Sequence, residues 1–215
     1  MTLDPDTLLS TTRAVRRRLD LERDVPQDLI DECLRMAQQA PSGGNRQNAV
    51  FVVVRDPAKR RALAEVYRRG WDHYVAHGVG SGPPGQGSTP SSAGGRSRIA
   101  RSALFLAKNL ERVPVHVVPC ITPRTDDADA LVQASTYGSV LPAVWSYMLA
   151  ARARGLGTAW TTIHLHDEAA AARILGIPDD VMQVALIPTA YLVGDGLRAG
   201  PRRALDEFRR IDGWE

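Results

Sequence analysis

The sequence predicts a single α+β domain, built as three α/β/α layers on a mixed sheet. Segments in which apolar residues recur at helical spacing alternate with short β-branched apolar runs along the whole chain. The 215 residues are 44% hydrophobic and 24% charged, which is ordinary for a chain that buries one sizeable core. No internal repeat divides the sequence. We therefore expect one domain over residues 1–215.

The N-terminal quarter predicts two helices and a strand. The first 24 residues are expected to hold a short helix that carries the run TTRAVRRRLD. Apolar residues then recur at helical spacing over residues 29–40, with Asp24 as the expected cap and Pro41 as the stop. The run at residues 49–54 is β-branched and continuously apolar, which is typical of a strand covered on both faces.

The middle of the chain predicts a helix followed by a long loop. Asp56 and Pro57 open a helix that is expected to run to about Arg69. Residues 78–95 are rich in Gly, Ser and Pro, which predicts a flexible loop inside the domain, either a mobile lid or a tolerated insertion. Four ring-bearing residues precede the loop and either contact a ligand or form an ordinary buried helix end: Trp71, His73, Tyr74 and His77.

The C-terminal half predicts a long helix that lies at a subunit interface. Residues 129–154 have helical character, and Pro142 implies a kink or a late start. Residues 140–151 are apolar on nearly every face, as in a helix enclosed on all sides. The remaining predicted elements are strands at 115–121, 158–163 and 182–193, and a helix at 167–175.

Several classes of protein are disfavoured. Cys33 and Cys120 form no CxxC pair, so neither a disulfide framework nor a zinc site is predicted, and a reducing cytoplasm fits. No apolar run could cross a bilayer, and no secretory signal is recognisable. The H-x-H pair at His164 and His166 lacks a third ligand, so no metal is predicted. The G-x-S-x-G and G-x-G-x-x-G motifs are absent, which argues against serine hydrolysis and a resident Rossmann site.

Positive charge is concentrated at the two ends of a chain whose net charge is +3. Such clusters form a solvated surface, bind nucleic acid, or bind a small phosphorylated ligand. The loop PSGGNRQ at residues 41–47 is the most informative local feature, because its glycines let backbone N–H groups approach a ligand. Its Asn and Gln both donate and accept hydrogen bonds, as the edge of a flavin requires, although an ordinary turn has the same composition.

Five segments in order identify a resemblance: TTRAVRRRLD, APSGGNRQNAVFVVV, AVWSYMLAARARGLGTAW, LGIPDDVMQVALIPTAYLVG and PRRALDEF. Together they resemble the FMN-dependent nitroreductase family along nearly the whole chain. The resemblance implies a mainly antiparallel sheet flanked by helices, in an intertwined homodimer with FMN between the subunits. It also implies that NAD(P)H reduces the flavin, which then reduces a nitroaromatic, quinone or similar acceptor in ping-pong order. The flavin would carry the chemistry, so no side chain is predicted to be catalytic.

The resemblance also assigns binding residues. The FMN phosphate would be held around Arg13, Ala14, Arg16 or Arg17, Arg202 and Arg203, and paired guanidinium forks suit a dianionic phosphate. The ribityl chain and isoalloxazine ring would contact Ser42, Gly43, Asn45 and Gln47. Val140, Leu141 and Pro142 would pack on the ring from the other subunit, and Thr162 and Ile163 would lie beside flavin N5.

Three departures from the family pattern are visible. Ala14 replaces a usual Ser, Asn48 replaces a Pro, and Thr162-Ile163 replaces a pair of glycines. These departures bear on the tightness of flavin binding and keep open a flavin-sequestering relative with little turnover. The terminal arginines keep open a second alternative, a basic nucleic-acid-binding protein.

Overall fold

The computed structural model describes residues 3–77 and 93–214, without the side chains of residues 77 and 93–97. The loop predicted at about 78–95 falls almost wholly outside the described residues, and so does the side chain of His77. Among the described helices, none has both the length and the apolar character that crossing a membrane requires.

One sheet forms the middle layer. The order of its strands is β1-β2-β5-β3, with β4 paired to β2, and all the ladders are antiparallel. The central strand β2 is buried along its whole length. The strands are β1 (Ala49–Val54), β2 (Val115–Ile121), β3 (Leu156–Thr158), β4 (Met182–Gln183) and β5 (Ile187–Tyr191). The predicted α+β class with a mainly antiparallel sheet is confirmed.

Helices cover both faces of this sheet. On one face, α2 and α5 pack against Val115 and Val117 of β2. On the other, α3 and α4 pack against Val118 and Cys120, because alternate residues of a strand point to opposite faces. The helices are α1 (Pro5–Thr11), α2 (Gln27–Ala37), α3 (Pro57–His77), α4 (Ala93–Asn109), α5 (Ala130–Ala153), α6 (Glu168–Leu175) and α7 (Leu205–Phe208).

The N-terminal arginine run is not helical, so that prediction is wrong. Helix α1 ends at Thr11, and the segment after it runs along the sheet. The Val15 N–H donates to the Thr158 carbonyl at 2.7 Å, and Leu19 bridges to Leu192. Val15 and Leu19 are both buried there, so tertiary pairing overrides the helical spacing of these two residues.

Two helices differ from prediction at their ends. Asp24 does not cap α2; it forms an ion pair with Arg55 at 2.9 Å, and Pro26 precedes the helix instead. Helix α5 contains Pro142 and still runs unbroken from its Asp129 cap, so a late start is wrong. The sequence did not predict α4, and α3 continues past Arg69 to residue 77.

The predicted strands also need correction. Strand β1 has the predicted bounds but lies at the edge of the sheet, and Val50 is 60% exposed, so both faces are not covered within the protomer. The strand predicted at 158–163 is β3, which ends at Thr158 and is followed by a 3-10 helix at Ile163–Asp167. The strand predicted at 182–193 is divided into β4 and β5.

Candidate functional site

The PSGGNRQ loop is fixed to the N-terminal half of α5. The Gly43 N–H donates to Ser139 Oγ at 2.9 Å, and that hydroxyl donates to the Ser135 carbonyl at 2.8 Å. A Cβ atom on Gly43 would lie 3.0 Å from Ser135 Oγ, so the close approach of loop and helix depends on a glycine. The loop therefore has a defined position.

The same loop has an unusual backbone. Gly44, Asn45 and Gln47 have φ angles of 59°, 53° and 50°. Asn tolerates this left-handed region, whereas for Gln47 it costs about 1–2 kcal/mol. The Gln47 N–H donates to Ser42 Oγ at 3.1 Å, and its side-chain amide donates to Asn45 Oδ1 at 3.0 Å. Strain held by local hydrogen bonds is typical of binding sites.

Beside this loop lies a cavity of about 540 Å³, here called the polar cavity. Its walls combine amide and hydroxyl groups with apolar side chains from α2, β1 and α5. The lining residues are Leu34, Ala37, Gln38, Gln39, Ala40, Ser42, Gln47, Ala49, Val50, Phe51, Ser139 and Ala143. Val140 is buried next to this cavity, and Leu141 is 37% exposed.

A second pocket, here called the basic cleft, has a volume of about 380 Å³. The N-terminal segment and the loop after β5 form its walls. The lining residues are Arg13, Ala14, Val15, Arg16, Arg17, Arg18, Ser102, Gly196, Leu197 and Arg198. Arg18 fixes this loop, because its guanidinium donates to the carbonyls of Val193, Asp195 and Gly196.

Arginines from the two ends of the chain meet at the edge of this cleft. Arg13 donates to the Arg198 carbonyl at 3.2 Å. A Cβ atom on Gly200 would lie 2.8 Å from Nη1 of Arg202 and 3.5 Å from Nη2 of Arg13. The two guanidiniums therefore converge on one glycine, as the sequence predicted for a phosphate site. The structure places Arg203 on the exposed surface beside Arg202.

No carboxylate neutralises this group. Within residues 3–77 and 93–214, none of the predicted phosphate-binding arginines forms a salt bridge, although eight other ion pairs are present. Like charges held close together without a counterion favour the binding of an anion. The donor set fits a phosphate monoester, which carries about two negative charges at neutral pH.

Thr162 and Ile163 lie on the same side of the molecule as Arg16. Thr162 is exposed, and the preceding Thr161 hydroxyl shares a hydrogen bond of 3.0 Å with Tyr67 of α3. Burial raises the pKa of Tyr67, while the Thr161 hydrogen bond and the charge of Arg16 act in the opposite direction. Val15, the residue before Arg16, belongs to the same hydrophobic cluster as Tyr67, and Ile163 packs against that cluster.

The aromatic end of α3 contacts the 3-10 helix that follows this segment. His73 stacks on His166 with ring centroids 4.0 Å apart, and Trp71 stacks on Tyr74 at 5.3 Å. Of the H-x-H pair, His164 is fully buried and His166 is exposed, and the described residues contain no group of three or more metal-ligating side chains.

The basic cleft and the polar cavity are separate within one protomer. They share no lining residue. The loop at 42–47 contacts α5 at Ser139, whereas Val15 of the cleft packs on Gly157, just past the end of α5. At about 1.5 Å per residue, the helix from Ser139 to Arg152 is about 20 Å long. The structure thus groups the arginines with 162–163, and residues 42–47 with 140–142.

Sequence reasoning missed several residues of these pockets. Ser139 holds the loop, and its spacing of four from Ser135 on a helix was the available signal. Arg18, Gly196 and Arg198 complete the cleft, and they are recognisable only after the chain ends are brought together.

Comparisons with known proteins agree with the fold. The Nitroreductase family model matches residues 9–191, so the chain belongs to the nitroreductase family. This membership supports a general assignment as an oxidoreductase.

Individual relatives match this chain either over a short segment or at low sequence identity. An NADH dehydrogenase of Thermus thermophilus is 47% identical over 64 residues, 29% of this chain and 30% of the relative. An Archaeoglobus fulgidus protein with the provisional name NADH dehydrogenase/NAD(P)H nitroreductase is 23% identical over 188 residues, 86% of this chain and 83% of the relative. Among solved structures, an iodotyrosine deiodinase bound to FMN and 3-iodo-L-tyrosine superposes with a TM-score of 0.68 at 20% identity, over 92% of this chain and 94% of that one.

Proposed function

We propose that this protein is a homodimeric FMN-dependent oxidoreductase that takes electrons from NAD(P)H and reduces small electrophilic acceptors such as nitroaromatics and quinones. The observation that carries the proposal is the convergence of Arg13 and Arg202 on Gly200 with no carboxylate among the described residues. Such a cluster favours the binding of an anion, and FMN provides one in its phosphate.

In this proposal each flavin site is completed by a second copy of the chain. One protomer supplies Arg13, Arg16 or Arg17, Arg202 and Arg203 for the phosphate, with Ala14 beside it and Thr162 and Ile163 beside the ring. The partner supplies Ser42, Gly43, Asn45 and Gln47, together with Val140, Leu141 and Pro142 against the ring. A two-fold axis across α5 would produce this arrangement, because it would set the N-terminal half of one helix beside the C-terminal half of the other.

Exposed apolar surface supports the dimer. Along α5, Leu131 is 77% exposed and Trp145 is 38% exposed, and in the C-terminal tail Phe208 and Trp214 are 86% and 90% exposed. Large apolar side chains in contiguous exposed patches mark interaction surfaces, and dimer interfaces are of this kind. The prediction that residues 140–151 are enclosed on all sides would then hold in the dimer.

When bound, FMN supplies the redox chemistry, passing two electrons from NAD(P)H to an acceptor that occupies the same pocket afterwards. The arginines hold the phosphate, and the Gly43 loop orients N–H and amide groups toward the ring edge. The positive charge of Arg16 near Tyr67 stabilises negative charge on that side of the site. The polar cavity provides the space in which a flat acceptor can lie.

The first test is binding. Purified protein is expected to be yellow, to release FMN on denaturation and to oxidise NADH or NADPH. Substitution R13M or R202M is expected to weaken FMN by about 10- to 100-fold, the loss of one charge-assisted hydrogen bond, while riboflavin affinity stays constant. R61M removes an exposed arginine of α3 outside both pockets and is the charge-matched control. A colourless protein that FMN does not activate would contradict the proposal.

The second test is complementation. A protomer with R13M and R202M is mixed with one carrying S42A and Q47A, after reversible dissociation. If each site uses both subunits, heterodimers regain one intact site, and the mixture recovers about a quarter of the wild-type activity. If each site lies within one protomer, activity is not recovered. Tight FMN binding without turnover on any quinone or nitroaromatic would indicate the flavin-sequestering alternative.

A further inference from the structure

A positively charged side chain is buried next to the basic cleft. Arg152, in the last turn of α5, is only 8% exposed. Its Nε is fully buried, and no described residue accepts a hydrogen bond from it. Its guanidinium also forms no salt bridge within the described part of the chain. Burying a charge without an anion is unfavourable, so this position needs an explanation.

The guanidinium of Arg152 lies next to Gly196. Its Nη2 is 3.9 Å from the point where a Cβ atom on Gly196 would stand, and apart from Gly196 and its two chain neighbours no other described atom is within 4 Å of that point. Gly196 itself lines the basic cleft, whereas Arg152 does not. A glycine backbone without a side chain therefore separates the buried charge from the cleft.

The surroundings of Arg152 make its burial less favourable. Burial lowers the pKa of Arg152, and the nearby positive charge of Arg18 lowers it further. Arg18 provides no compensation, because it is itself a cation with no hydrogen-bond acceptor. The dipole of α5 favours a cation in the last turn, but an exposed cation would gain the same benefit. An anion in the cleft is the partner that the geometry permits.

We propose that Arg152 is a positioning residue of the basic cleft, whose buried charge next to Gly196 strengthens the binding of a dianionic phosphate monoester. The inference rests on the proposed function, in which that phosphate belongs to FMN. Arg152 acts across the glycine and does not touch the phosphate. Gly196 is required because a side chain there would separate the charge from the anion.

The test compares FMN with riboflavin, which lacks the phosphate. A unit charge about 8 Å from a single negative charge, at an effective dielectric constant of about 20 to 40, changes the affinity roughly 6- to 30-fold, which is a lower limit for a dianion. R152M is therefore expected to weaken FMN by that factor and to change riboflavin affinity less than about twofold, whereas R152K retains most of the FMN affinity. R154M is the matched control, because Arg154 lies two residues away and pairs with Glu32 at 3.0 Å.

A pH profile separates an electrostatic role from a structural one. The second pKa of a phosphate monoester is about 6, so wild-type FMN affinity rises between pH 5 and pH 7.5. The rise is expected to be smaller in R152M, because the charge that favours the dianion is gone. An equal loss of FMN and riboflavin affinity, with an unchanged pH profile, would overturn the inference.

A second variant keeps the test available if R152M does not fold. In G196L the side chain extends beyond the Cβ position, which is only 3.9 Å from Arg152 Nη2, and so displaces the guanidinium. We expect G196L to weaken FMN severalfold and to leave riboflavin unchanged; no change in the ratio of the two affinities would count against the inference. If R13M and R202M change that ratio but R152M and G196L do not, the inference fails and the proposed function stands. If none of the four changes it, both fail.

Discussion

Replacing Gly70 by alanine tests how closely α3 must approach the segment beside the proposed flavin ring. A Cβ atom at position 70 would lie 2.3 Å from the carbonyl oxygen of Ile163 and 3.1 Å from its Cγ2. Ordinary contact begins near 3.4 Å, so the two backbones must separate by about 1 Å. Both are held in place, because Gly70 is in the interior of α3 and Ile163 begins the 3-10 helix.

The expected cost is large for a single methyl group. Overpacking of a well-packed site costs about 1–3 kcal/mol, and a clash with backbone belongs at the upper end. Alanine recovers about 1 kcal/mol through its better helix propensity. The net loss for G70A is therefore about 2 kcal/mol, which for a chain of this size lowers Tm by about 4–8 °C. Denaturant unfolding and thermal melts by circular dichroism measure both quantities.

A double-mutant cycle with I163A identifies the clashing atom. The isoleucine side chain is removed in I163A, but the carbonyl oxygen stays, so the penalty for G70A is expected to persist in that background. If the penalty disappears, the clash is with the side chain and the reasoning is wrong. G70A as stable as the wild type would refute it outright. Because Ile163 is proposed to lie beside the ring, G70A should also weaken FMN and riboflavin equally.

Three further predictions concern buried polar groups. Burial lowers the pKa of His164 from 6.5 to about 4. As the pH falls, this imidazole is protonated in the unfolded chain before it is protonated in the folded protein, so about 2 kcal/mol of stability is lost between pH 7.5 and 5. His164→Asn should remove that part of the loss, as measured by urea unfolding at each pH. R124M leaves the carboxylate of Glu168, whose side chain is 22% exposed, without its partner and should cost about 2–3 kcal/mol. The control R209M removes the ion-pair partner of Asp206, whose side chain is 89% exposed, and should cost less than about 0.5 kcal/mol by the same assay. Tyr147→Phe removes a buried hydrogen bond of 3.0 Å to a threonine hydroxyl and should cost about 1 kcal/mol, measured by thermal melts.

Helices and strands whose local apolar pattern agrees with their tertiary contacts could be predicted from the sequence. Strands β1 and β2 and the start of α5 near residue 129 have the expected positions, because continuous apolar runs are local signals. The arginine run was mispredicted because Val15 and Leu19 are four residues apart, a spacing that fits a helix equally well. Their pairing with the sheet is a tertiary contact, and no local pattern reports it.

In the candidate site, too, local sequence signals could be recognised and tertiary contacts could not. The composition of the chain ends and of residues 41–47 identified candidate binding groups, because arginine forks and Gly-Asn-Gln loops have recognisable chemistry, and the structure places these groups at two pockets. Ser139, Gly196 and Arg152 could not be found in this way. Each contacts a part of the chain that is distant in sequence. Ser139 contacts the Gly43 amide, Gly196 lines the basic cleft, and Arg152 lies next to the backbone of Gly196.

The separation of the two pockets bears directly on how the proposed cofactor binds. Within one protomer the basic cleft and the Gly43 loop lie apart, because the loop contacts α5 at Ser139, whereas Val15 of the cleft packs on Gly157, just past the end of that helix. In the proposed dimer, an antiparallel pair of α5 helices would bring the two groups together and would also cover the exposed side chains of Leu131 and Trp145. Dimerisation and cofactor binding should therefore be linked, so that FMN shifts the monomer–dimer equilibrium toward the dimer and riboflavin does so less. Sedimentation of dilute protein with each flavin measures this, and a dimer constant that neither flavin changes would mean that the pockets work separately.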